Sequence, residues 1–332
     1  MLAEPTDLLR LIAVPAFGWA AWRDVRTRRL PNRLWYPLLA VGLVALLWDI
    51  GRLLPVSGVD DRLVLVRVGV SLFVIVPLSY GLWWLGGFGG ADAKALMTLA
   101  LLFPTYPVYY LPWSAYPRIE TTLGVFSMTI LTNAVLVGVG YPCYLGVRNA
   151  VRGDRSRLMF LGRRVDVAAL PSEHGRLFEN GSGYTRSGLD LDALRMYLRW
   201  RGTTFASLRA APAAHRDPGT VGETDDPTDG AVDDDGRERG ASGNPAADDC
   251  GVDPDAEFDD PWAAERFLDE IDGSAYGTTP EKLREGLCVV TTEETVWLSP
   301  GIPFIVPVFL GLCVALTYGD LLFALLLAAG MV

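Results

Sequence analysis

Lysine and histidine are nearly absent from this chain, which carries Lys94 and Lys282 among 29 basic residues and has His174 and His215 as its histidines. With so few imidazoles, neither a histidine-ligated metal site nor Ser-His nucleophilic catalysis is predicted. The four cysteines are widely separated and include no CxxC pair, so their spacing indicates neither a zinc site nor a disulfide framework. The sequence therefore predicts a protein without a metal or another cofactor.

The acidic surplus is concentrated in one stretch of the chain. Residues 217–260 contain 16 Asp or Glu and 2 Arg, a local net charge of −14, whereas the whole chain carries −10. This stretch has almost no aromatic residues and no periodicity, so it cannot bury enough apolar surface to become ordered. We predict a disordered acidic linker over residues 214–260. The acidic surplus and the scarcity of lysine together indicate a halophilic host.

Hydrophobic residues make up 50% of the chain, and they lie in blocks rather than at a helix or strand period. Six blocks approach the length of about 20 residues that is needed to cross a bilayer core. The blocks are residues 8–22, 34–50, 63–85, 94–113, 123–147 and 302–332. The predicted fold is an all-α polytopic membrane protein with about six transmembrane helices and a small α+β cytosolic insert that contains the linker.

Arginine clusters predict the orientation of these spans. Five arginines follow the first block and six more follow the fifth block, between positions 148 and 164. By the positive-inside rule both clusters are cytosolic, which places the N-terminus outside and residues 148–300 inside. The first block is not expected to be a cleaved signal peptide, because the acidic Glu4 and Asp7 precede it. We therefore expect a multi-pass protein of the plasma membrane.

The predicted domains follow from this orientation. The membrane domain covers 1–148 with five spans, the cytosolic lobe covers 149–213 and 261–300 on either side of the linker, and the sixth span covers 301–332.

Within the lobe, leucines of residues 191–198 fall on one helical face, and Asp190 is placed to cap that helix. Residues 262–268 are also predicted to be helical, and residues 287–290 and 295–298 are predicted to be strands.

Ionisable residues next to the apolar blocks are costly and are therefore candidates for function. Asp49 and Asp320 lie toward the outer ends of their blocks, where we expect them to be solvated or to extend to the membrane interface. Asp24 and Asp92 both lie at cytosolic ends, at the same depth. Two carboxylates at one depth can share a proton, with one acting as base on water and the other as acid to a leaving amine.

The residues after Asp24 indicate a turn. Pro31 and Asn32 form a turn signal, and Asn32 is predicted to cap the next helix. A surface ion pair between Asp24 and the neighbouring arginines is the alternative to a catalytic role.

The residues before Asp92 form the run Gly89-Gly90-Ala91-Asp92, in which glycine allows a close approach of backbone or substrate. An ordinary N-cap of the next helix is the alternative role for Asp92. Lys94 either tunes the charge of the carboxylate pair or extends to the membrane interface.

The motif around Asp24 and the motif that ends at Asp92 together resemble the two signature motifs of the prepilin peptidases, which are GxGD-type aspartic membrane peptidases. Residues 297–304 resemble the archaeal branch, the preflagellin and prepilin peptidases. Ala91 departs from the motif, whose name has glycine at that position. Bifunctional bacterial members also N-methylate and carry a paired-CxxC zinc region, which is missing here, so methylation is not predicted.

The resemblance implies an aspartic endopeptidase that removes a short basic leader from type IV pilin-like or archaellin precursors at the cytosolic membrane face. Its implied partners are those precursors and the lipid bilayer, with no nucleic acid. Asp24 and Asp92 would be the catalytic residues. The supporting motif residues would be Pro31, Asn32, Gly89, Gly90, Ala91 and Lys94.

Two other functions are compatible with the residues. A signal-peptide-peptidase-like intramembrane protease shares the GxGD aspartate, but it carries Tyr-Asp in an apolar helix, whereas Arg23 precedes Asp24 here. A non-enzymatic transporter or assembly scaffold would bind cations at the two carboxylates. Such folds show inverted repeats and broken midplane helices, and neither is found in this sequence.

Overall fold

The computed structural model describes residues 3–85, 88–180, 183–185, 188–232, 258–271, 275–301 and 303–331. The chain divides into two compact units. We call Met1–Tyr141 with Pro303–Val332 the helical unit, and Pro142–Ile302 the inserted unit.

The described residues are mostly helical, with a few short strands. The helices are α1 (Pro5–Arg10), α2 (Ala13–Thr27), α3 (Trp35–Arg52), α4 (Val59–Val70), α5 (Val76–Trp84), α6 (Gly90–Leu102), α7 (Phe126–Arg152), α8 (Leu191–Trp200), α9 (Phe205–Ala210), α10 (Pro212–Arg216), α11 (Ala264–Glu270), α12 (Pro280–Thr292), α13 (Ile305–Thr317) and α14 (Leu321–Ala328). The strands are β1 (Tyr109–Leu111), β2 (Ser114–Tyr116), β3 (Arg163–Asp166), β4 (Arg176–Leu177), β5 (Glu179–Asn180), β6 (Gly183–Tyr184) and β7 (Thr295–Ser299).

Three helical segments of the described chain are long and apolar enough to cross a membrane. They are Asn32–Arg52, Val59–Trp84 and Phe126–Arg152, and α13 is a shorter apolar helix. The second segment runs from α4 through a π-helical stretch at Ser71–Ile75 into α5. The prediction of a helical membrane protein is confirmed in this coarser form, with three candidate spans.

The block at 94–113 contains less helix than the sequence predicted. Helix α6 ends at Leu102, and the chain continues into the antiparallel hairpin of β1 and β2. Pro104 explains the end of the helix, because the residue before a proline is disfavoured in the α conformation. Phe103 accordingly takes φ −128° and ψ 60°.

The last block, 302–332, forms two helices rather than one. Gly319 takes φ 102°, which ends α13, and the carboxylate of Asp320 accepts a hydrogen bond from the backbone N–H of Phe323 at the start of α14. A helix N-cap between two apolar runs therefore breaks this block.

The first block also forms two helices, α1 and α2, and α2 continues past residue 22 to Thr27. This continuation places Asp24 in the last turn of a helix.

The core of the helical unit joins the two ends of the chain. Helix α13 packs on α2, and α3 packs on α6. Fully buried side chains between these helices include Phe17, Leu99, Phe126 and Leu312.

The inserted unit has its own core and a three-stranded antiparallel sheet in the order β3-β7-β4. Helix α8 is the predicted helix, and Asp190 caps it by accepting from the backbone N–H of Asp192 at 2.9 Å. The predicted strand at 295–298 and most of the predicted helix at 262–268 are also confirmed.

The predicted strand at 287–290 is wrong, because these residues belong to α12. The side chain of Thr279 caps this helix and Pro280 begins it, so the apolar run continues a helix that is already started. Leu283, Leu287 and Val290 then face the core at helical spacing.

The predicted linker over 214–260 differs from the structure in its first part. Residues 214–232 pack against the rest of the inserted unit. Arg195 in α8 and Arg201, which directly follows α8, donate hydrogen bonds to them. The Nε of Arg195 donates to the Gly230 carbonyl at 2.6 Å, and Arg201 donates to the Thr220 hydroxyl at 2.7 Å. Residues 233–257 of the predicted linker lie outside the described residues.

Candidate active site

Asp24 lies in the last turn of α2 and is buried, with 9% of its surface exposed. The backbone N–H of Ile305 in α13 lies near its carboxylate and acts on its pKa. The Oδ2 of Asp24 is buried and has no hydrogen-bond partner among the described residues. Burial raises the pKa of Asp24 above its ordinary value, against the lowering effects of Arg28 and of the Ile305 N–H.

Asp92 lies in the first turn of α6 and is partly buried. Its Oδ2 accepts from the backbone N–H of Gly89 at 3.1 Å, so Gly89 is the N-cap and Asp92 caps the helix from the third position. The alternative role for Asp92, helix capping, is thus present in the structure and engages one of its two oxygens.

The charge of Asp24 acts on Asp92. The pKa of Asp92 is raised to about 6, because burial and, to a smaller extent, the charge of Asp24 outweigh the lowering effects of the Gly89 N–H and of Arg28. Both aspartates lie outside the apolar blocks predicted at 8–22 and 94–113. Two interacting carboxyls of raised pKa form a pair that can hold one proton between them.

Arg28 is the residue of this site that sequence reasoning did not single out. It takes the left-handed conformation with φ 54° where α2 ends, and its backbone N–H donates to the Asp24 carbonyl at 3.0 Å. Its charge acts on both Asp24 and Asp92. The sequence did not distinguish Arg28 from the neighbouring arginines as the one whose charge acts on the two aspartates.

The supporting motif residues connect the two carboxylate-bearing segments. The Nζ of Lys94 donates to the Asn32 side-chain oxygen at 2.7 Å, which joins α6 to the loop after α2. The prediction that Asn32 caps the next helix is wrong: Pro31 is the N-cap residue of a 3-10 turn at Asn32–Leu34, and the Asn32 oxygen instead accepts from Lys94.

The small residues before Asp92 allow neighbouring side chains to lie close to the backbone. A Cβ on Gly89 would lie 3.0 Å from the Asp92 Oδ2, which would disturb the carboxylate. Gly90 has more room, with the Trp83 Nε1 at 3.6 Å from such an atom, and Ala91 packs on the core of the helical unit.

Asp320 is buried, so the prediction is wrong for this residue, whereas the side chain of Asp49 is 24% exposed and remains partly solvated. Asp49 pairs with the Arg10 guanidinium at 2.5 Å, and Arg10 also pairs with Asp7 at 2.9 Å. Asp320 is 4% exposed and accepts from the Thr129 hydroxyl at 2.8 Å. Each carboxylate accepts from a donor within the helical unit, and this interaction offsets the free-energy cost of removing the carboxylate from water.

A cavity of about 470 Å³ in the helical unit is lined by Asp7, Arg10 and Asp49, together with residues 105–108 after the end of α6. Asp92 lies in the first turn of the same helix, whose 13 residues span about 20 Å. The cavity and the two carboxylates are therefore at different ends of α6.

Within the described part of the chain, no group of three or more His, Cys, Asp or Glu side chains is placed to hold a metal ion.

Residues 11–143 match the type IV leader peptidase family. A preflagellin peptidase of Methanococcus voltae is 26% identical over 190 residues, which cover 51% of this chain and 69% of that protein. A preflagellin peptidase of Methanocaldococcus jannaschii is 26% identical over 160 residues, 44% of this chain and 62% of that protein. A prepilin peptidase of Methanothermobacter thermautotrophicus is 28% identical over 140 residues, 41% of this chain and 34% of that protein.

The family match contains Asp24 and Asp92 and ends at the start of the inserted unit. The predicted resemblance to archaeal prepilin and preflagellin peptidases is therefore confirmed.

Proposed function

We propose that this protein is a multi-pass membrane aspartic endopeptidase that cleaves the leader from archaellin or type IV pilin-like precursors. Its relatives are named preflagellin and prepilin peptidases, and the matching segment carries both candidate carboxylates. Asp24 and Asp92 are the catalytic pair in this proposal, and they face the cytosol.

The observation that carries the proposal is that the charge of Asp24 raises the pKa of Asp92, and that the charge of Arg28 lowers the pKa of both aspartates. Asp24 lies at the end of α2 and Asp92 lies at the start of α6. Helix ends hold side chains on rigid elements, which is what positioned acid–base chemistry needs. The Lys94–Asn32 hydrogen bond links α6 to the 3-10 turn that follows α2.

The reaction is hydrolysis by a shared proton. One carboxyl of the pair holds the proton, and the other is ionised and acts as the base. The ionised carboxylate takes a proton from water as the water oxygen attacks the scissile carbonyl carbon. The proton of the other carboxyl passes to the leaving nitrogen as the C–N bond breaks. A carboxylic acid and a neutral or protonated amine are the products.

The membrane arrangement suits such a substrate. The arginine clusters after α2 and at the end of α7 support an orientation in which the C-terminal end of α2 and the N-terminal end of α6 lie at the cytosolic face. A precursor with a charged leader and an apolar helix would present its cleavage point at this level. Six spans are part of this proposal, with the blocks at 8–22, 94–113 and 302–332 crossing beside the three longer segments.

Replacement of the carboxylates tests the proposal. Asp24→Asn and Asp92→Asn should each abolish cleavage of a precursor that carries a basic leader and an apolar helix, assayed in membranes that contain the full chain. The double variant should be no slower than either single variant, since both groups act in one step.

Asp60→Asn is the matched control, because Asp60 is an exposed aspartate in the first turn of α4. Its cleavage rate should equal that of the parent. Normal cleavage by an Asp92→Asn protein that reaches the membrane would remove Asp92 from the mechanism and leave it the helix-capping role.

A further inference from the structure

The chain that leaves α7 folds back along that helix. Gly153, just past the last residue Arg152, takes φ 86°, which reverses the chain. Phe160 then lies against Gly146, since a Cβ on Gly146 would be 2.3 Å from the Phe160 ring. Gly146 precedes the end of α7 by six residues, about 9 Å along the axis. We call residues 153–162 the fold-back turn.

The fold-back turn is held in place by a buried side chain. Asn149 is 1% exposed, and its Nδ2 donates to the carbonyls of Met159 and Gly162, at 2.7 Å in both cases. The backbone N–H of Asp154 donates to the Asn149 carbonyl at 2.9 Å. The return of the chain beside α7 is therefore a fixed feature of the fold.

This arrangement exposes large apolar side chains and unpaired cations together. The exposed apolar residues on α7 and the turn are Val147, Val151, Phe160 and Leu161. The exposed arginines are Arg152, Arg155 and Arg157. Within the residues that the structure describes, none of these three arginines forms an ion pair. Half of the Phe160 side chain, 51%, faces outward despite its contact with Gly146.

We propose that the fold-back turn is a membrane-surface anchor that binds anionic lipid. Phe160 and Leu161 insert at the boundary between headgroups and acyl chains, and the three arginines bind the lipid phosphates. Interfacial segments combine an apolar face with basic side chains in this way, and a guanidinium matches the geometry of a phosphate. The proposal rests on the crossing of the membrane by α7, as in the proposed function.

Two features favour lipid as the partner. The exposed apolar surface continues directly from α7, which is apolar enough to span a bilayer. The arginines form a basic surface on a chain whose net charge is −10, so an anionic surface is their complement. Each arginine is expected to contribute about fivefold to partition into an anionic surface.

Site-directed labelling of the full chain in lipid nanodiscs tests the proposal. The four native cysteines are replaced by serine, and one spin label is introduced by Phe160→Cys. Tyr184→Cys, at an exposed aromatic residue of β6, is the reference for water, and Val139→Cys, in the middle of α7, is the reference for the bilayer core. Collisions with oxygen and with a water-soluble nickel chelate give the depth of each label.

In nanodiscs that contain phosphatidylglycerol, the label at 160 should be several-fold less accessible to nickel than the label at 184. Replacing Arg152, Arg155 and Arg157 by Gln should raise this accessibility toward the value at 184, as should nanodiscs of phosphatidylcholine alone. A label at 160 as accessible as the label at 184 would overturn the anchor. If the label at 160 is equally shielded from nickel with anionic and with neutral lipid, or before and after the arginine replacements, the role of anionic lipid is overturned.

The measurement does not use peptidase activity, so it separates this proposal from the proposed function. A shielded label at 139 shows that α7 lies in the bilayer whether or not the chain cleaves a precursor.

Discussion

Arg28 controls the protonation of the candidate pair through its charge. A positive charge favours the ionised form of a carboxyl, so Arg28 lowers the pKa of both Asp24 and Asp92. Arg28→Gln should raise both pKa values, because the charge is lost while a polar side chain remains. Since the proposed reaction needs one proton on the pair, the fall in activity on the alkaline side should move to higher pH.

The pH dependence of kcat/KM for precursor cleavage checks this expectation. Arg26→Gln is the control, because Arg26 lies on the exposed side of α2 over the Trp22 ring. Equal alkaline limbs in the Arg28→Gln variant and the parent would show that Arg28 does not act on the pair.

At the scale of elements, the contact between Lys94 and Asn32 sets the position of α6 relative to the loop after α2. Lys94→Met should lower kcat/KM by about tenfold to a hundredfold, because a displacement of about 1 Å between reacting groups can cost that much. Asn32→Ala should have a similar effect, and the double variant should add little to either single one.

Lys282→Met is the matched control for this pair. Lys282 is the other lysine of the chain, and its Nζ also donates one hydrogen bond, to the Gly277 carbonyl at 2.9 Å. If the Lys94 and Lys282 variants retain equal activity, the Lys94–Asn32 contact does not position the site.

The turn between α13 and α14 depends on Asp320. Its carboxylate accepts from the Phe323 N–H and from the Thr129 hydroxyl, both at 2.8 Å, so it caps α14 and fastens it to α7. Asp320→Ala should lower the free energy of unfolding by about 1–3 kcal/mol, because a cap is lost and a buried hydroxyl loses its acceptor. Thermal unfolding in detergent measures this loss. Asp320→Asn, which keeps an acceptor, should lose less, and equal losses would contradict the capping role.

At the scale of the whole molecule, the acidic stretch has two parts. Residues 214–232 are folded, and residues 233–257 are predicted to be disordered from their composition alone. A short Gly/Ser bridge in place of residues 233–257 should leave precursor cleavage within a few-fold of the parent. Removal of residues 217–257 should destabilise the inserted unit, because Arg195 and Arg201 would lose the oxygens of Gly230 and Thr220.

Cleavage and thermal unfolding of the two deletion variants distinguish these outcomes. If the variant with the shorter deletion loses precursor cleavage but unfolds at the same temperature as the parent, residues 233–257 take part in the reaction.

The sequence was most informative where apolar length and motif spacing determine the structure. The long helices around residues 34–50, 63–85 and 123–147 were predicted because their apolar blocks are long and few charges interrupt them. The pairing of Asp24 and Asp92, inferred because both lie next to ends of apolar blocks, stays a prediction.

Contacts between distant residues were not predictable in this way. The left-handed turn at Arg28, the Lys94–Asn32 contact and the burial of Asp320 each depend on a partner that is remote in sequence or on a backbone conformation that is uncommon for the residue. The acidic residues 214–232 were misjudged for a similar reason, since composition does not show that arginines elsewhere bind their carbonyl and hydroxyl oxygens.

The packing of α13 on α2 has a consequence for the time at which the site becomes complete. The N–H group that lowers the pKa of Asp24 belongs to Ile305, about 280 residues later in the chain. At a synthesis rate of about 5–20 residues per second, the ribosome reaches Ile305 roughly 15 to 55 seconds after Asp24. The first helices of a nascent chain are therefore made well before α13 can pack on α2, and a truncated product that stops before α13 never completes the surroundings of Asp24.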